Sequence, residues 1–148
     1  MESYIFDTNV LIDLVLQDIF SLTPNQLERV KLFSTLPVSK KIVSISTVGE
    51  FSAVMQKVIP YQISVKHLEL IKRLTINFIS LINKITSVQY VQQEDFLLAM
   101  EIYTNILNKK SYSKTFDLND ALIIALTRRL GAELITNDKE VLKYADLF

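Results

Sequence analysis

Ser3-Tyr4-Ile5-Phe6-Asp7-Thr8-Asn9-Val10-Leu11-Ile12-Asp13-Leu14 is the stretch whose reading decides the fold. Tyr4, Ile5 and Phe6 are strand formers, and from Val10 onward the apolar residues Val10, Leu11, Leu14 and Val15 fall at helical spacing. Asp7 therefore sits at a strand-to-helix turn, where α/β proteins place their chemistry. Three later carboxylates, Glu50, Asp120 and Asp138, fall at comparable junctions. The four read as one acidic site able to hold a metal ion.

Working outward, Thr23-Pro24 opens a second helix with Leu27, Val30 and Phe33 on one side, ending near Leu36-Pro37. Ile42 to Ile45 reads as the second strand. Ser46 is then the expected cap of a helix bearing Val48, Phe51, Val54, Met55 and Val58 and stopping at Pro60. A long periodic segment runs from Ser64 to about Ile85, its apolar stripe widened by Leu70, Leu74 and Leu81. It suits a partner interface or a well-buried core helix equally. Ser87 to Val91 alternates as a third strand, and Gln93 to about Asn108 is a helix carrying Phe96, Leu97, Met100 and Leu107. A polar loop, 109–114, leads to a helix from Asp117 that stops at Gly131. Ala132 to Thr136 is a fourth strand, and Asn137-Asp138 starts a last short helix.

Strand followed by helix four times over predicts a parallel sheet covered on both faces, and 148 residues suit a single domain spanning 1–148. In such a sheet all strand ends of one polarity share an edge, so Asp7, Glu50, Asp120 and Asp138 can converge there.

Composition narrows the chemistry. There is no cysteine and only His67, so thiolate and multi-histidine metal sites are excluded and any metal must be held by oxygen. With glycine only at 49 and 131, no phosphate-cradling loop can be written, and a nucleotide cofactor is not expected. Lysine plus arginine number 16 against 16 acids, so nucleic acid binding must be local. The candidates are Lys40/Lys41, Lys109/Lys110/Lys114, Arg128/Arg129 and, nearest the acids, Lys139; Tyr112 could stack on a base. No leader pattern or membrane-length apolar run is present, which predicts a cytoplasmic protein without membrane attachment. A hydrophobic content of 49% and a mean hydropathy of +0.26 predict a buried partner interface.

Each acid alone is explained by helix capping. Jointly they are not, because two like charges about 4 Å apart repel by roughly 4 kcal/mol at an effective dielectric of about 20. Such a cluster calls for protons or for hard cations such as Mg²⁺ or Mn²⁺. A haloacid-dehalogenase phosphatase needs a second Asp where Asn9 stands. A phospho-acceptor receiver needs an acid after its third strand, where Tyr90-Val91-Gln92-Gln93 offers none.

Four segments resemble the PIN-domain family, and within it the small VapC-like toxin ribonucleases. They are Phe6-Asp7-Thr8-Asn9-Val10-Leu11-Ile12, Ser46-Thr47-Val48-Gly49-Glu50-Phe51, Asp117-Leu118-Asn119-Asp120-Ala121-Leu122-Ile123-Ile124-Ala125 and Leu134-Ile135-Thr136-Asn137-Asp138. The resemblance implies a three-layer α/β/α fold with a central parallel sheet of four to five strands. It implies Asp7, Glu50, Asp120 and Asp138 as catalytic acids holding Mg²⁺ or Mn²⁺, with Asn9 and Thr136 supporting them and Asp117 either a further supporting acid or a cap. It also implies an RNA substrate, a homodimer and an antitoxin partner. Between the second and third strands the match is poor. The competing expectation is a catalytically silent PIN-like module for binding or assembly.

Overall fold

The computed structural model describes residues 2–57, 65–108 and 115–147. Strands β1 (Tyr4–Phe6), β2 (Lys41–Ser44), β3 (Ser87–Gln89) and β4 (Glu133–Ile135) form one four-stranded sheet in the order β3-β2-β1-β4. All three pairings are parallel, with Ile5 opposite both Ile42 and Leu134. The helices are α1 (Thr8–Leu16), α2 (Pro24–Thr35), α3 (Ile45–Lys57), α4 (Val65–Ile85), α5 (Gln93–Leu107), α6 (Leu118–Leu130) and α7 (Lys139–Ala145).

The strand period of two sorts the core into two faces. Ile5, Ile42 and Leu134 point toward α5, α6 and α7, while Phe6 and Val43 point toward α1, α2, α3 and α4. The result is the three-layer α/β/α arrangement expected. On the first face Phe116 packs edge-on against Tyr144. On the second, Phe6 meets Phe33 edge-on at 5.0 Å and Phe51 meets Phe78 at 5.2 Å. Each fully buried side chain of this size contributes about 1.5–3 kcal/mol.

Local signals place most helix ends. Thr23 and Gln26 form a reciprocal capping box around Pro24, and Gly131 closes α6 in the left-handed conformation at φ 61°. Several expectations shift. The second strand covers 41–44 rather than 42–45, and α3 starts at Ile45, so Ser46 lies inside the helix. Ser44 does the capping instead, its Oγ accepting from the Ser46 amide at 3.2 Å. The third strand stops at Gln89, two residues short of Val91. Leu27 is exposed on α2, and on α5 the residues Phe96, Leu97, Met100 and Leu107 are exposed. Ala99, Ile102 and Ile106 make the buried face of α5. The small side chains of Ala99, Ala121 and Ala125 let α5 and α6 approach closely, which selects that face over the bulkier one. On α4, Ile71 and Ile82 are buried while Leu70, Ile76 and Leu81 are exposed, so the helix has both a core face and an uncovered one. Val58, Pro60, Ser64, Tyr112 and the lysines at 109, 110 and 114 lie outside the described residues. Among the described residues no helix is long and apolar enough to cross a membrane.

Candidate active site

The sheet's topology brings β1 and β4 side by side, and with them the helix starts that follow. Asp7 caps α1: its Oδ1 accepts from the Thr8 amide at 2.8 Å, and its own N–H donates to Ile135 O at 3.0 Å. Thr136, just past β4 and buried, donates its hydroxyl to Asp7 Oδ2 at 2.8 Å. The same Oγ1 accepts from Asn9 Nδ2 at 3.0 Å and from the Asp138 amide at 3.1 Å. One hydroxyl thus links the first and last expected acids. Asp138 caps α7, its Oδ1 accepting from the amides of Glu140 and Val141. Asp117 and Asp120 form a reciprocal capping box at the start of α6. Glu50 comes from the second turn of α3.

Asp7, Glu50 and Asp120 line a common cavity of about 350 Å³ together with Ser46, Thr47 and Asn119. Asp138 and Asp117 stand at its margin, close enough for their charges to be felt by Asp7 and Asp120. Burial raises the Asp7 carboxyl above the usual range, against the bonds from Thr136 and Thr8, and Asp138 and Asp117 raise it further. Burial and the charges of Asp7 and Asp117 push Glu50 up. Asp120 is pushed up to about 7, first by burial and then by Asp117, Asp7 and Asp138. Among the described residues none of these acids is in an ion pair.

The donor set suits a hard divalent cation: carboxylates held above their ordinary pKa and short of positive charge. The Thr8 hydroxyl gives a second sign. It is buried without a hydrogen-bond partner of proper geometry, yet lies near enough to Glu50 to favour its ionised form. As the side chains stand, no three acids or histidines among the described residues are placed to grip one ion together. Each carboxylate has about four lone-pair sites, so capping leaves oxygen capacity toward the cavity.

Other expected residues find plain positions. Lys139 is exposed at the first residue of α7 beside Asp138. Lys41 is buried, its ammonium 4.7 Å from the Phe33 ring centroid, so its stem covers core rather than facing a phosphate. Arg129 is bound to buried Asp95 at 2.7 Å and to Tyr90 O, and Arg128 donates to Ala145 O. Sequence reasoning missed Asp13, which accepts from Asn137 Nδ2 at 2.6 Å and Gln26 Nε2 at 3.3 Å, and Arg29, which donates to Asn137 Oδ1 at 2.8 Å. The signal for Asp13 was present: an acid three residues after Val10, on the face α1 buries.

Solved structures share this architecture. FitAcB from Neisseria gonorrhoeae aligns at 15% identity with a TM-score of 0.67, covering 97% of this chain and 93% of that one. VapC20 from Mycobacterium tuberculosis, described as a sarcin-ricin loop cleaving toxin, aligns at 14% identity and a TM-score of 0.61 over 95% and 94%. VapBC-1 from nontypeable Haemophilus influenzae aligns at 22% identity and 0.59 over 98% and 93%. At these identities the likeness is one of fold. No curated protein matches the chain by sequence. The family model of the PIN domain does match, from residue 4 to residue 147, and the chain belongs to the PIN-domain family.

Proposed function

We propose that this chain is a metal-dependent endoribonuclease, the toxin of a toxin–antitoxin pair, that hydrolyses RNA phosphodiester bonds at Asp7, Glu50, Asp120 and Asp138. The observation that carries the reading is the convergence of Asp7, Glu50 and Asp120 on one cavity, with no ion pair to any of them among the described residues. Family membership supports nuclease chemistry. Fold relatives described as a cleaving toxin and as toxin–antitoxin complexes support the RNA substrate and the antitoxin partner.

Asp7, Asp120, Asp138 and Glu50 would hold Mg²⁺ or Mn²⁺. A bound ion supplies Lewis acidity toward a phosphodiester and acidifies the attacking water. The chain's own residues do the rest. Thr136 and the Thr8 amide fix the direction of the Asp7 carboxylate. Asn9 supports Thr136 from behind, and Asp117 holds the Asp120 amide. Asp120, its carboxyl pushed up to about 7, would give up its proton on binding a cation. Lys139, exposed and next to Asp138 in the chain, would offer a charge for a substrate phosphate.

The second reading, a catalytically silent module, is favoured by one observation: Asp7, Asp117, Asp120 and Asp138 all serve as helix caps or in a capping box. For the homodimer, the exposed Phe96, Leu97, Met100 and Leu107 on α5 offer a stripe suited to a second copy of the chain.

The deciding experiment is cleavage of a labelled RNA pool in Mg²⁺, Mn²⁺ or EDTA by the wild type and by Asp7→Asn and Asp120→Asn. Ion-dependent cutting that both substitutions abolish supports the nuclease. A folded wild type that cuts nothing with either ion but binds a partner protein supports the module.

A further inference from the structure

Asn137 occupies a pivotal place just before Asp138. Its backbone N–H donates to Asn9 Oδ1 at 2.9 Å, on the side facing the candidate site. Its side-chain amide is held from both ends on the other side. Nδ2 donates to Asp13 Oδ2 at 2.6 Å, and Oδ1 accepts from Arg29 Nη1 at 2.8 Å. Asp13 is buried within α1, and its second oxygen accepts from Gln26 on α2. An amide clamped at donor and acceptor alike cannot flip, and it ties the turn at Asn137 to α1 and α2.

We propose that Asp13 and Arg29 are positioning residues that act through Asn137 to set the turn carrying Thr136 and Asp138. The catalytic consequence rests on the nuclease reading above; the positioning itself does not. A buried carboxylate in the middle of an apolar helix face is costly unless fully bonded, so its presence needs such a reason. α2, which supplies both Gln26 and Arg29, thereby becomes part of the site's frame although it contributes no acid to it.

The arrangement predicts a donor–acceptor exchange. Asp13→Asn leaves one acceptor oxygen for two donors, so an amide nitrogen faces either Asn137 Nδ2 or Gln26 Nε2, and Asn137→Asp sets two carboxylates face to face. Together they restore complementarity: residue 13 then donates, residue 137 accepts, and Arg29 gains a charged partner.

The test is amide hydrogen exchange followed by NMR in ion-free buffer on the wild type, Asp13→Asn, Arg29→Met and the double exchange variant. The expected result is exchange at the Asn137 and Asp138 amides faster by about tenfold in Asp13→Asn and by a smaller factor in Arg29→Met. Ile5 and Val43 in the sheet keep wild-type rates, and the double variant recovers both site amides. Mn²⁺ affinity, read from solvent proton relaxation, weakens in Asp13→Asn and recovers in the double variant. Unchanged exchange at Asn137 and Asp138 in both Asp13→Asn and Arg29→Met, equal acceleration in the sheet, or no recovery in the double variant overturns the proposal. Arg29 is half-buried beside an open groove, so Arg29→Met decides the matter if Asp13→Asn does not fold. If the wild type binds no Mn²⁺ while the exchange pattern holds, the nuclease reading fails and the positioning role stands.

Discussion

Replacing Asp120 by Asn should stabilise the ion-free protein while removing its chemistry. The carboxyl is held at about 7 against an ordinary 3.8, by burial first and then by Asp117, Asp7 and Asp138. A rise of about 3 corresponds to about 4 kcal/mol as a ceiling. Asp120 is only partly buried, and solvent screening reduces this to about 1–2 kcal/mol. Asn keeps the amide-oxygen acceptor that the Asp117 N–H needs, so the capping box survives. The sign follows from linkage. Because the folded pKa is raised, the protonated acid's contribution is fully present below about pH 4 and is lost as pH rises through about 7. The gain from Asp120→Asn is therefore largest at pH 8, shrinks between pH 7 and 4 and vanishes below that. For a chain of this length the gain at pH 8 in EDTA is a Tm rise of roughly 2–8 °C. Thermal unfolding by circular dichroism at pH 8, 6 and 4 measures it. A variant no more stable than wild type at pH 8, or a gain independent of pH, refutes the account of a repulsive acid cluster.

Divalent ions should raise the wild-type Tm with concentration, by about 2.7 kcal/mol at a hundredfold excess over Kd, and Asp7→Asn should abolish the response in the same melts. Ion binding should release a proton near neutrality, so Mg²⁺ affinity weakens below pH 7 and calorimetric heats depend on the buffer's ionisation enthalpy. Thr136→Val strands the Asp138 amide and Asn9 Nδ2 and should cost about 1–3 kcal/mol in denaturant unfolding while cleavage falls. Arg129→Met leaves the buried Asp95 charge unpaired and should cost about 3–5 kcal/mol, an effect on unfolding rather than on RNA affinity. Leu97→Glu with Met100→Glu should yield monomers by sedimentation with the Tm little changed, since both side chains are exposed.

The strands and the acids were legible in the sequence because their signals are local. Strand-forming runs at Tyr4-Ile5-Phe6 and Ile42-Val43 and an acid one residue past Phe6 need no knowledge of the rest of the chain. The clamp around Asn137 was not legible, because its partners lie 108 and 124 residues away and no short pattern links them. The buried face of α5 was not legible for a different reason. Phe96, Met100 and Leu107 share a helical face as good as that of Ala99, Ile102 and Ile106, and only the close approach of α6 chooses between them. Lys41 was read as charge, whereas its aliphatic stem on Phe33 makes it part of the core.

The capping and metal readings of the acids are not rivals in this fold. A parallel sheet with right-handed crossovers sets the carboxyl end of each strand beside the N-terminus of the next helix. Those helix starts present unpaired N–H groups and the positive end of the macrodipole, which stabilise a carboxylate by about 0.3–1 kcal/mol each. Three such starts, those of α1, α6 and α7, meet at one edge, and each holds an acid through backbone amides. The caps keep carboxylates in place that would otherwise repel one another out of the cavity. They do not neutralise them, because Asp7 and Asp120 remain above their ordinary pKa with those bonds in place. The residual repulsion is what a divalent cation would relieve. A fold that needed the acids only as caps could use Asn or Ser at the same positions without that repulsion.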